Sequence, residues 1–456
     1  MRANGVCRLV LVASLILTGS TSYLHSQHAV LSSGKNARTH RREGREKLKF
    51  VVMLSRHGVR SSTWTQERLD AYSAQPWPQW KAQPGYLTER GFELVKQFGS
   101  YDRISLARAG LLAPQGCADA AATYIWADTD QRTMESGRAL AEGLFPGCAP
   151  AVHGVAAGTY DRLFHPGKGE VSAGAADAAF TELSARVKAE ADPERSELIA
   201  EMQNVLLGCA PKAACSAAQK PAKMLAAGGV AATRGGGDHF VELRGPLAEA
   251  SSFAEDFLLE YGDGMAANKV GWGKVDEPQL RRFLALHTEY FDLIHRTPTL
   301  ARIEAGNLLQ HMVGTLEQHV KGGPAANAVG PVQSKVVVLV GHDTNLAGVS
   351  ALLGLHWKLD GRRDDTPPGT ELAFELWQSP RGEWSVRVRA SMQTLGQMRS
   401  LRELTQTAPP ASQLVQVDGC GTAAEGCSWS EFQRIALAGT GNGAASRTTS
   451  EGGSGN

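Results

Sequence analysis

Three short apolar runs of the chain are each followed by a polar loop and then by a helical pattern. The runs are FVVML at 50–54, ATYIWA at 122–127 and KVVVLV at 335–340. Short runs rich in β-branched and aromatic residues predict strands that are buried on both faces of a sheet. Recurring strand–loop–helix units build sheets that are largely parallel. The pattern therefore predicts an α/β fold, with a doubly wound, mostly parallel (mixed) sheet and helices on both faces.

Weaker patterns fill in the rest of the chain. Residues 372–377 and 384–390 alternate apolar and polar positions and predict later strands, for which antiparallel pairing is open. Thr88 and Asp130 precede helical patterns and are candidate N-caps. Residues 64–85, rich in Pro and Trp, predict a long loop over a site.

Shifts in composition divide the chain into parts. Arg2, Arg8 and the apolar run at 9–17 predict an export signal, with an uncleaved membrane anchor as the alternative. The segment after the second strand unit is rich in Ala, Lys and Glu and predicts helices. The predicted division is a signal peptide at 1–26, a disordered basic leader at 27–46, an α/β catalytic domain at 47–165 and 276–436, an inserted, smaller, mainly helical domain at 166–275, and a disordered tail at 437–456.

Composition also narrows the classes of function. A formal net charge of +1 gives no whole-molecule argument for binding nucleic acid or a membrane surface. Of seven cysteines, Cys7 falls within the predicted signal. The six that remain predict disulfides in an exported, periplasmic or secreted chain, and they allow fifteen pairings, of which sequence neighbours are the simplest. The sequence has no CxxC spacing, so a zinc site is not expected.

The three polar loops carry the residues of one chemistry. In the SRHGVR loop, arginines stand on both sides of His57, the second loop contains Arg132, and the third begins with His342 and Asp343. The carboxyl ends of parallel strands meet at one edge of a sheet, where ligands bind. We therefore expect one site that is formed by Arg56, His57, Arg60, Arg132, His342 and Asp343.

This set of residues suits the hydrolysis of a phosphate ester. Arginine forks match phosphate oxygens, and a neutral imidazole such as that of His57 can attack phosphorus. The arginines disfavour the imidazolium form and so keep His57 neutral. A cationic His342 would bind a further oxygen, and Asp343 would protonate the leaving oxygen and later accept a proton from water. A protonated carboxyl favours an acidic working pH, and the scheme needs no metal or other cofactor.

In its motifs the chain resembles the histidine acid phosphatases, the clade 2 branch of the histidine phosphatase superfamily, which includes bacterial periplasmic phytases and glucose-1-phosphatases. RHGVR and the distant HD carry the resemblance, and it extends over residues 47–432. Further matching stretches, in order, are PWPQW, LTERG, DTDQRT, DRLFHP, GWG, HRTP, GHDTN, TPPG and QTLGQMR. The resemblance implies an α/β domain with an inserted α domain, and a phosphatase that acts through a phosphohistidine.

The resemblance also implies roles for individual residues. His57 would be the nucleophile and Asp343 the proton donor. The phosphate-binding set would be Arg56, Arg60, Arg132 and His342, and the substrate pocket would include Thr63, Asp128, Glu255 and His287. For Glu255 and His287 the alternative is an ordinary polar residue of a helix. The implied disulfides are Cys117–Cys148, Cys209–Cys215 and Cys420–Cys427.

Phytate is the leading substrate, and glucose 1-phosphate or a broad range of phosphomonoesters is the alternative. A catalytically inactive phosphate-binding protein is the alternative from another class. The expected partner is a small phosphorylated substrate, with no nucleic acid and no stable membrane anchor, and the expected assembly is a monomer.

Two residues depart from the family pattern. Ser62 replaces the usual proline, and Trp64 replaces a lysine that contacts the polyanionic substrate in the enteric phytase. Thr344, in contrast, favours the phytase side.

Overall fold

The computed structural model describes residues 46–156, 158–165, 171–189, 193–215, 221–225, 229–235 and 240–441. The predicted signal peptide, the predicted leader up to residue 45 and the predicted tail beyond Gly441 lie outside the described residues.

Strands and helices alternate along the first part of the chain and again near its end. The strands are β1 Lys47–Arg56, β2 Thr123–Ala127, β3 Val152–His153, β4 Ala231–Arg234, β5 Val241–Arg244, β6 Val336–Gly341, β7 Lys358–Leu359, β8 Arg362–Arg363, β9 Glu371–Gln378, β10 Trp384–Met392, β11 Ala411–Val415 and β12 Cys427–Ser428. The helices are α1 Gln66–Asp70, α2 Glu89–Arg108, α3 Gln131–Leu144, α4 Ala173–Ala189, α5 Pro193–Leu206, α6 Pro246–Gly262, α7 Glu277–His295, α8 Pro298–Lys321, α9 Asp343–Leu353, α10 Leu395–Ser400 and α11 Trp429–Gly439.

The main sheet is mixed, with β1 between its two halves. Its strand order is β11–β10–β9–β1–β6–β2–β3, and β12 pairs with β10. β1, β6, β2 and β3 run parallel, whereas β9, β10, β11 and β12 pair antiparallel. The predicted α/β fold class is confirmed, and the three apolar runs form β1, β2 and β6. The two later strands are also present, and their pairing is antiparallel.

Alternate side chains of β1 enter two different cores. Phe50, Val52 and Leu54 pack in one core with residues of α8, α9 and α11. Val51 and Met53 pack in the other with residues of α2 and α3. Successive side chains of a strand point to opposite faces. Because both faces are covered by helices, the run is continuously apolar instead of alternating.

Local sequence signals account for the start of α2. Thr88 is its N-cap, and the Thr88 side chain accepts a hydrogen bond from the N–H of Gly91 at 2.9 Å. A Cβ at Gly91 would lie 2.0 Å from the carbonyl oxygen of Val59. The absence of a side chain at Gly91 therefore lets α2 pack directly on the loop that follows β1.

Helices predominate in the described parts of 166–275. They are α4, α5 and α6, and the hairpin β4–β5 accompanies them. A third core contains Leu183 of α4, Met202 of α5 and Phe253 of α6, and it continues into α7 through Phe283. Val59, which follows β1, belongs to the same core. The division of the chain into a catalytic domain and an inserted domain stays a prediction.

Three disulfides join neighbouring cysteines of the sequence. They are Cys117–Cys148, Cys209–Cys215 and Cys420–Cys427, the pairs that the resemblance implies. At the other end of the described chain, α11 continues to Gly439, so the first residues of the predicted tail are helical. Among the described residues, none of the helices has the length and apolar character needed to cross a membrane.

Candidate active site

The carboxyl ends of β1, β6 and β2 meet in register. Arg56 pairs with Gly341 in the β1–β6 ladder, and the N–H of His57 donates to the Gly341 carbonyl oxygen at 3.0 Å. On the other side of β6, the N–H of Asp128 donates to the Val340 carbonyl oxygen at 3.0 Å. One edge of the sheet therefore collects residues that are far apart in the chain, as expected of parallel strands.

His57 is held as a neutral imidazole at this edge. Its Nδ1 lies 2.8 Å from the Gly58 carbonyl oxygen. A carbonyl oxygen only accepts hydrogen bonds, so Nδ1 carries the proton and Nε2 is unprotonated. Burial, together with the positive charges of Arg132, Arg56 and Arg60, holds the pKa of His57 well below its usual value. His57 is therefore in the form that can act as a nucleophile.

The loop that carries His57 is fixed to the neighbouring helices. A Cβ at Gly58 would lie 2.9 Å from the carbonyl oxygen of Gly91 on α2, so a larger residue would displace the helix. The N–H of Gly58 donates to the Ser136 hydroxyl of α3 at 2.9 Å. These contacts fix the backbone on which the His57 ring is carried.

Three arginines surround the same point. Arg56 is fully buried; its Nη2 lies 2.7 Å from Asp343 Oδ2 and also contacts the Glu255 carboxylate. Arg60 donates from Nη2 to Glu255 Oε2 at 2.9 Å. The Nε atoms of Arg56, Arg60 and Arg132 are buried and lack a hydrogen-bond partner within the described residues. Buried donors are usually satisfied, so this edge has spare donors for an anion with several oxygens.

Asp343 occupies the first turn of α9. Its Oδ1 accepts from the N–H of Thr344 at 2.8 Å, and its Oδ2 faces Arg56. Burial opposes ionisation, but the Arg56 guanidinium outweighs it and lowers the pKa of Asp343, while the Glu255 charge acts in the opposite direction. Asp343 is therefore ionised near neutral pH and must gain a proton to act as an acid.

One carboxylate oxygen of Asp128 accepts hydrogen bonds from two imidazoles. His342 Nε2 lies 2.6 Å from Asp128 Oδ2, and His165 Nε2 lies 2.7 Å from the same oxygen. Despite burial, these two bonds lower the pKa of Asp128 well below its usual range. Burial and the nearby Arg132, whose Nη2 lies 3.4 Å from His342 Nδ1, lower the pKa of His342. The expected cationic form of His342 therefore requires acidic pH.

Two pocket residues implied by the resemblance lie on the helices α6 and α7. Glu255, on α6, bridges Arg56 and Arg60; burial opposes its ionisation, but the two arginines lower the pKa of Glu255. His287, on α7, places Nδ1 3.0 Å from the Ser251 hydroxyl, and its Nε2 has no partner among the described residues. The structure thus brings both residues to the edge where Asp343 lies.

Thr63 lies at the rim of the site. Its side chain is exposed. If Gly85 carried a Cβ, that atom would lie 3.6 Å from Thr63 Cγ2 and 3.7 Å from Arg132 Nη1. The structure therefore brings Thr63 and Arg132 together around the backbone of Gly85.

Among the described residues, two groups of side chains contain enough ligand atoms to hold a metal ion. They are Asp128, His165 and His342, and Glu255, His287 and Asp343; within each group the ligand atoms lie within 4.8 Å of one another. In the first group both imidazoles already donate to Asp128, and the second group contacts Arg56 and Arg60. Neighbouring guanidinium groups repel a cation. The absence of a metal cofactor stays a prediction.

The sequence patterns did not assign three residues that line the cleft above Asp343. The cleft has a volume of about 290 Å³, and His165, His295 and Glu304 contribute to its wall. His295 Nδ1 lies 2.8 Å from Glu304 Oε2. His165 and His295 stand in the DRLFHP and HRTP stretches, which are a signal in the sequence, but nothing local shows that their side chains face the site.

Asp130 is the N-cap of α3, yet its carboxylate binds Arg132 at 2.5 Å and makes no capping hydrogen bond.

The two departures from the family pattern are part of packed structure. Ser62 is buried, and its hydroxyl accepts from the N–H of Trp64 at 3.1 Å. The ring of Trp64 packs edge-on against Phe253, with ring centroids 5.4 Å apart, and the Arg68 guanidinium lies 3.6 Å above it. Trp64 therefore supports the helical core and carries a cation on its outer face.

Comparison with known proteins gives a consistent result. The sequence profile of the histidine phosphatase superfamily (branch 2) matches residues 47–391. Phytase AppA of Escherichia coli (strain K12) is 36% identical over 409 residues, which cover 85% of this chain and 91% of that protein. Glucose-1-phosphatase of Salmonella typhimurium is 28% identical over 422 residues, which cover 89% of this chain and 95% of that protein.

A solved structure agrees with these matches. Hafnia alvei phytase in complex with tartrate superimposes with a TM-score of 0.75 at 32% identity, covering 86% of this chain and 97% of that one. The same phytase in complex with myo-inositol hexakis sulphate gives a TM-score of 0.73. Profile, sequence and fold agree over most of the chain, and the chain belongs to the histidine phosphatase superfamily, branch 2.

Proposed function

We propose that this protein is an acid phosphatase that hydrolyses phosphomonoesters through a phosphohistidine at His57, with phytate as its leading substrate. One observation carries the proposal: Arg56 directly precedes His57 and binds the carboxylate of Asp343 at 2.7 Å. A neutral nucleophile, a buried cation and an acid–base carboxyl therefore belong to one site. An inactive phosphate-binding protein would need the cations but neither His57 nor Asp343.

The first half-reaction transfers the phosphoryl group to the enzyme. His57 Nε2 attacks phosphorus while the bond from phosphorus to the ester oxygen breaks. Protonated Asp343 donates its proton to that oxygen, which leaves as an alcohol. Arg56, Arg60 and Arg132 stabilise the charge on the three other oxygens, and a protonated His342 can add a further donor.

The second half-reaction releases inorganic phosphate. Asp343, now a carboxylate, accepts a proton from water as the water oxygen attacks phosphorus. The bond between phosphorus and Nε2 breaks, and neutral His57 is restored. The Glu255 carboxylate accepts hydrogen bonds from the Nη2 atoms of Arg56 and Arg60, which leaves the other N–H groups of the three arginines to bind the phosphate oxygens.

The pKa shifts favour activity at acidic pH. The lowered pKa of His57 keeps the nucleophile neutral well into the acid range. The lowered pKa of Asp343 means that the proton donor is lost as pH rises. Activity should therefore fall with increasing pH, because Asp343 loses its proton while His57 remains competent.

Glucose-1-phosphatase activity is the second candidate. The carboxylates of Asp130 and Glu304 line the cleft, where they would repel a substrate with many phosphate groups. The cations favour phytate: Arg132 and His165 line the same wall, and a known relative is Phytase AppA. Hydrolysis of phytate, glucose 1-phosphate and p-nitrophenyl phosphate in competition decides between the two.

The nucleophile is tested with His57→Ala and a radioactive phosphomonoester, followed by rapid quenching in alkali. The wild type should give labelled protein, and the variant should give none, with turnover reduced by at least about 10³-fold. Asp343→Asn should still form the labelled protein from p-nitrophenyl phosphate, because nitrophenolate leaves without a proton. Labelling of His57→Ala would overturn the assignment, and wild type without turnover of any phosphomonoester would favour the binding protein.

We further propose that the protein is exported to the periplasm or secreted. Three disulfides are typical of proteins that mature in an oxidising compartment. The apolar run at 9–17 provides an export signal in the sequence. N-terminal sequencing of protein from the periplasmic fraction checks both export and the cleavage site near Ser26, and size-exclusion chromatography with light scattering checks the expected monomer.

A further inference from the structure

His165 shares a carboxylate with His342 but lies in a different environment. Both Nε2 atoms donate to Asp128 Oδ2, and the two ring centroids are 5.4 Å apart. The side chain of His342 is 7% exposed, whereas that of His165 is 34% exposed and lines the cleft beside Asp343. His165 is therefore one ring further from the reacting phosphate and closer to solvent.

The backbone around His165 is fixed to the catalytic loop. The Asn345 side chain accepts from the N–H of His342 at 2.9 Å and donates to the carbonyl oxygen of Phe164 at 2.7 Å. The N–H of His165 itself donates to the Asp161 carbonyl oxygen at 3.2 Å. One asparagine of α9 thus holds the His342 loop and the His165 loop at a set separation.

Only one nitrogen of His165 can change its proton. Because a carboxylate only accepts hydrogen bonds, Nε2 keeps its proton toward Asp128 in both charge states. Protonation therefore takes place at Nδ1, the nitrogen that does not face Asp128. The protonated ring gains a positive charge and one N–H donor.

The groups around His165 favour that protonation. Burial opposes the charge, but the Asp128 carboxylate, with smaller contributions from Asp130 and Asp161, outweighs it and raises the pKa of His165. The pKa of His342, which is deeper and next to Arg132, is lowered instead. Within the part of the chain that the structure describes, the titratable and charged groups around His165 are Asp128, Asp130, Arg132, Tyr160, Asp161 and His342, with His295, Glu304 and Asp343 lining the same cleft. On acidification, His165 gains its charge before His342 does.

We propose that His165 is a specificity-determining residue which, in its imidazolium form, binds a second phosphate group of a polyphosphorylated substrate while His57 attacks the first. The proposal deepens the proposed function and rests on it. Because the His165 ring lies beyond the His342 ring, its N–H group would contact a phosphate group next to the one that reacts. It also supplies positive charge against the Asp130 and Glu304 carboxylates of the cleft.

The test compares two substrates in one variant. His165→Gln keeps an amide donor at the position of Nε2, toward Asp128, but cannot become charged. At pH 4.5 we expect kcat/KM for phytate to fall about tenfold more than kcat/KM for p-nitrophenyl phosphate, mainly through KM, since a charge-assisted hydrogen bond is lost. In the wild type the ratio of the two kcat/KM values should fall as pH rises through the His165 pKa, and in the variant the ratio should not depend on pH.

His356→Asn is the matched control. His356 also pairs with a carboxylate, its Nδ1 lying 2.7 Å from Asp364, but it is half exposed and does not line the cleft. This variant should leave both substrates unaffected. An equal loss for both substrates in His165→Gln would show that His165 only positions Asp128 and His342, and no loss would remove it from the site; either result overturns the proposal. A wild type that hydrolyses neither substrate would instead overturn the proposed function.

Discussion

Two buried acidic sites next to β1 differ in their charge partners and in their protonation. At the catalytic edge, Asp343 and Glu255 contact Arg56, and the pKa of each carboxyl is lowered although burial opposes ionisation. Elsewhere on the sheet, Asp102 of α2 and Glu371 of β9 line a cavity of about 270 Å³. Burial raises the pKa of Asp102 to about 8, and burial together with Asp102 raises the pKa of Glu371 well above its usual value.

The two sites differ in the charged partners of their carboxyls and not in how deeply the carboxyls are buried. Asp102 and Glu371 are 6% and 3% exposed, and each has a carboxylate oxygen without a hydrogen-bond partner in the described structure. The nearby Arg389 pairs with Glu375 instead, at 2.7 Å. A buried carboxyl without a cation keeps its proton, whereas one beside a guanidinium loses it. The same chain therefore contains carboxylates that a guanidinium keeps ionised and a pair of carboxyls whose raised pKa values favour the protonated form.

Removing the cation from the catalytic edge should have the largest effect. In Arg56→Gln, kcat/KM should fall about 10³-fold because one transition-state charge partner is lost. The pKa of Asp343 should rise at the same time, so the loss of activity at high pH should move to higher pH. Arg103→Gln is the control, because Arg103 is a buried arginine that donates to backbone carbonyl oxygens of Ala113 and Leu144. Equal losses in both variants would contradict a specific role for Arg56.

Neutralising the carboxyl pair should change stability and not catalysis. The folded-state pKa of Asp102, about 8, lies above its ordinary value of 3.8. The stability that this group contributes is therefore complete below about pH 4 and is lost as pH rises toward 8. Asp102→Asn should make stability less dependent on pH and stabilise the protein at pH 8 by on the order of 5 kcal/mol.

Urea unfolding at pH 4.5 and pH 8 measures this effect. Asp177→Asn serves as the control, since Asp177 is an exposed acid. An Asp102→Asn variant whose stability declines with pH as steeply as that of the wild type would show that Asp102 is already ionised in the folded protein.

A smaller effect should follow from the charge of Glu255. The Glu255 carboxylate opposes the influence of Arg56 and raises the pKa of Asp343. Glu255→Gln should therefore lower that pKa, and the decline of kcat at high pH should shift downward by roughly half a pH unit. The measurement is kcat against pH with p-nitrophenyl phosphate. An upward shift would show that Glu255 acts mainly by holding Arg56 away from Asp343.

The smallest expected effect is that of a chelator. Arginines next to both groups of possible metal ligands repel cations. Dialysis against EDTA should therefore leave kcat/KM for p-nitrophenyl phosphate unchanged. A loss that added zinc or magnesium restores would contradict metal-free catalysis.

Much of the secondary structure could be predicted from local sequence patterns. The apolar runs of β1, β2 and β6 and the Thr88 cap depend on neighbouring residues, and all of them are present. The long loop predicted at 64–85 contains the short helix α1, which the pattern did not show. Asp130 makes no capping hydrogen bond, because its carboxylate forms an ion pair with Arg132 instead. The capping pattern in the sequence does not predict this side-chain contact.

The strands, the polar loops and the residue types suited to phosphate chemistry follow from the sequence, because apolar periodicity and motif composition are local properties. Three features depend on the folded structure: Glu255 bridges two arginines, Asp128 binds both His342 and His165, and Asp102 lies near Glu371 with no ion pair to either carboxyl among the described residues. These contacts join residues that are distant in the chain. Whether a buried carboxyl or imidazole in these contacts is protonated depends on the charge of the residue that lies next to it in the fold. Local sequence patterns do not show which residue that is.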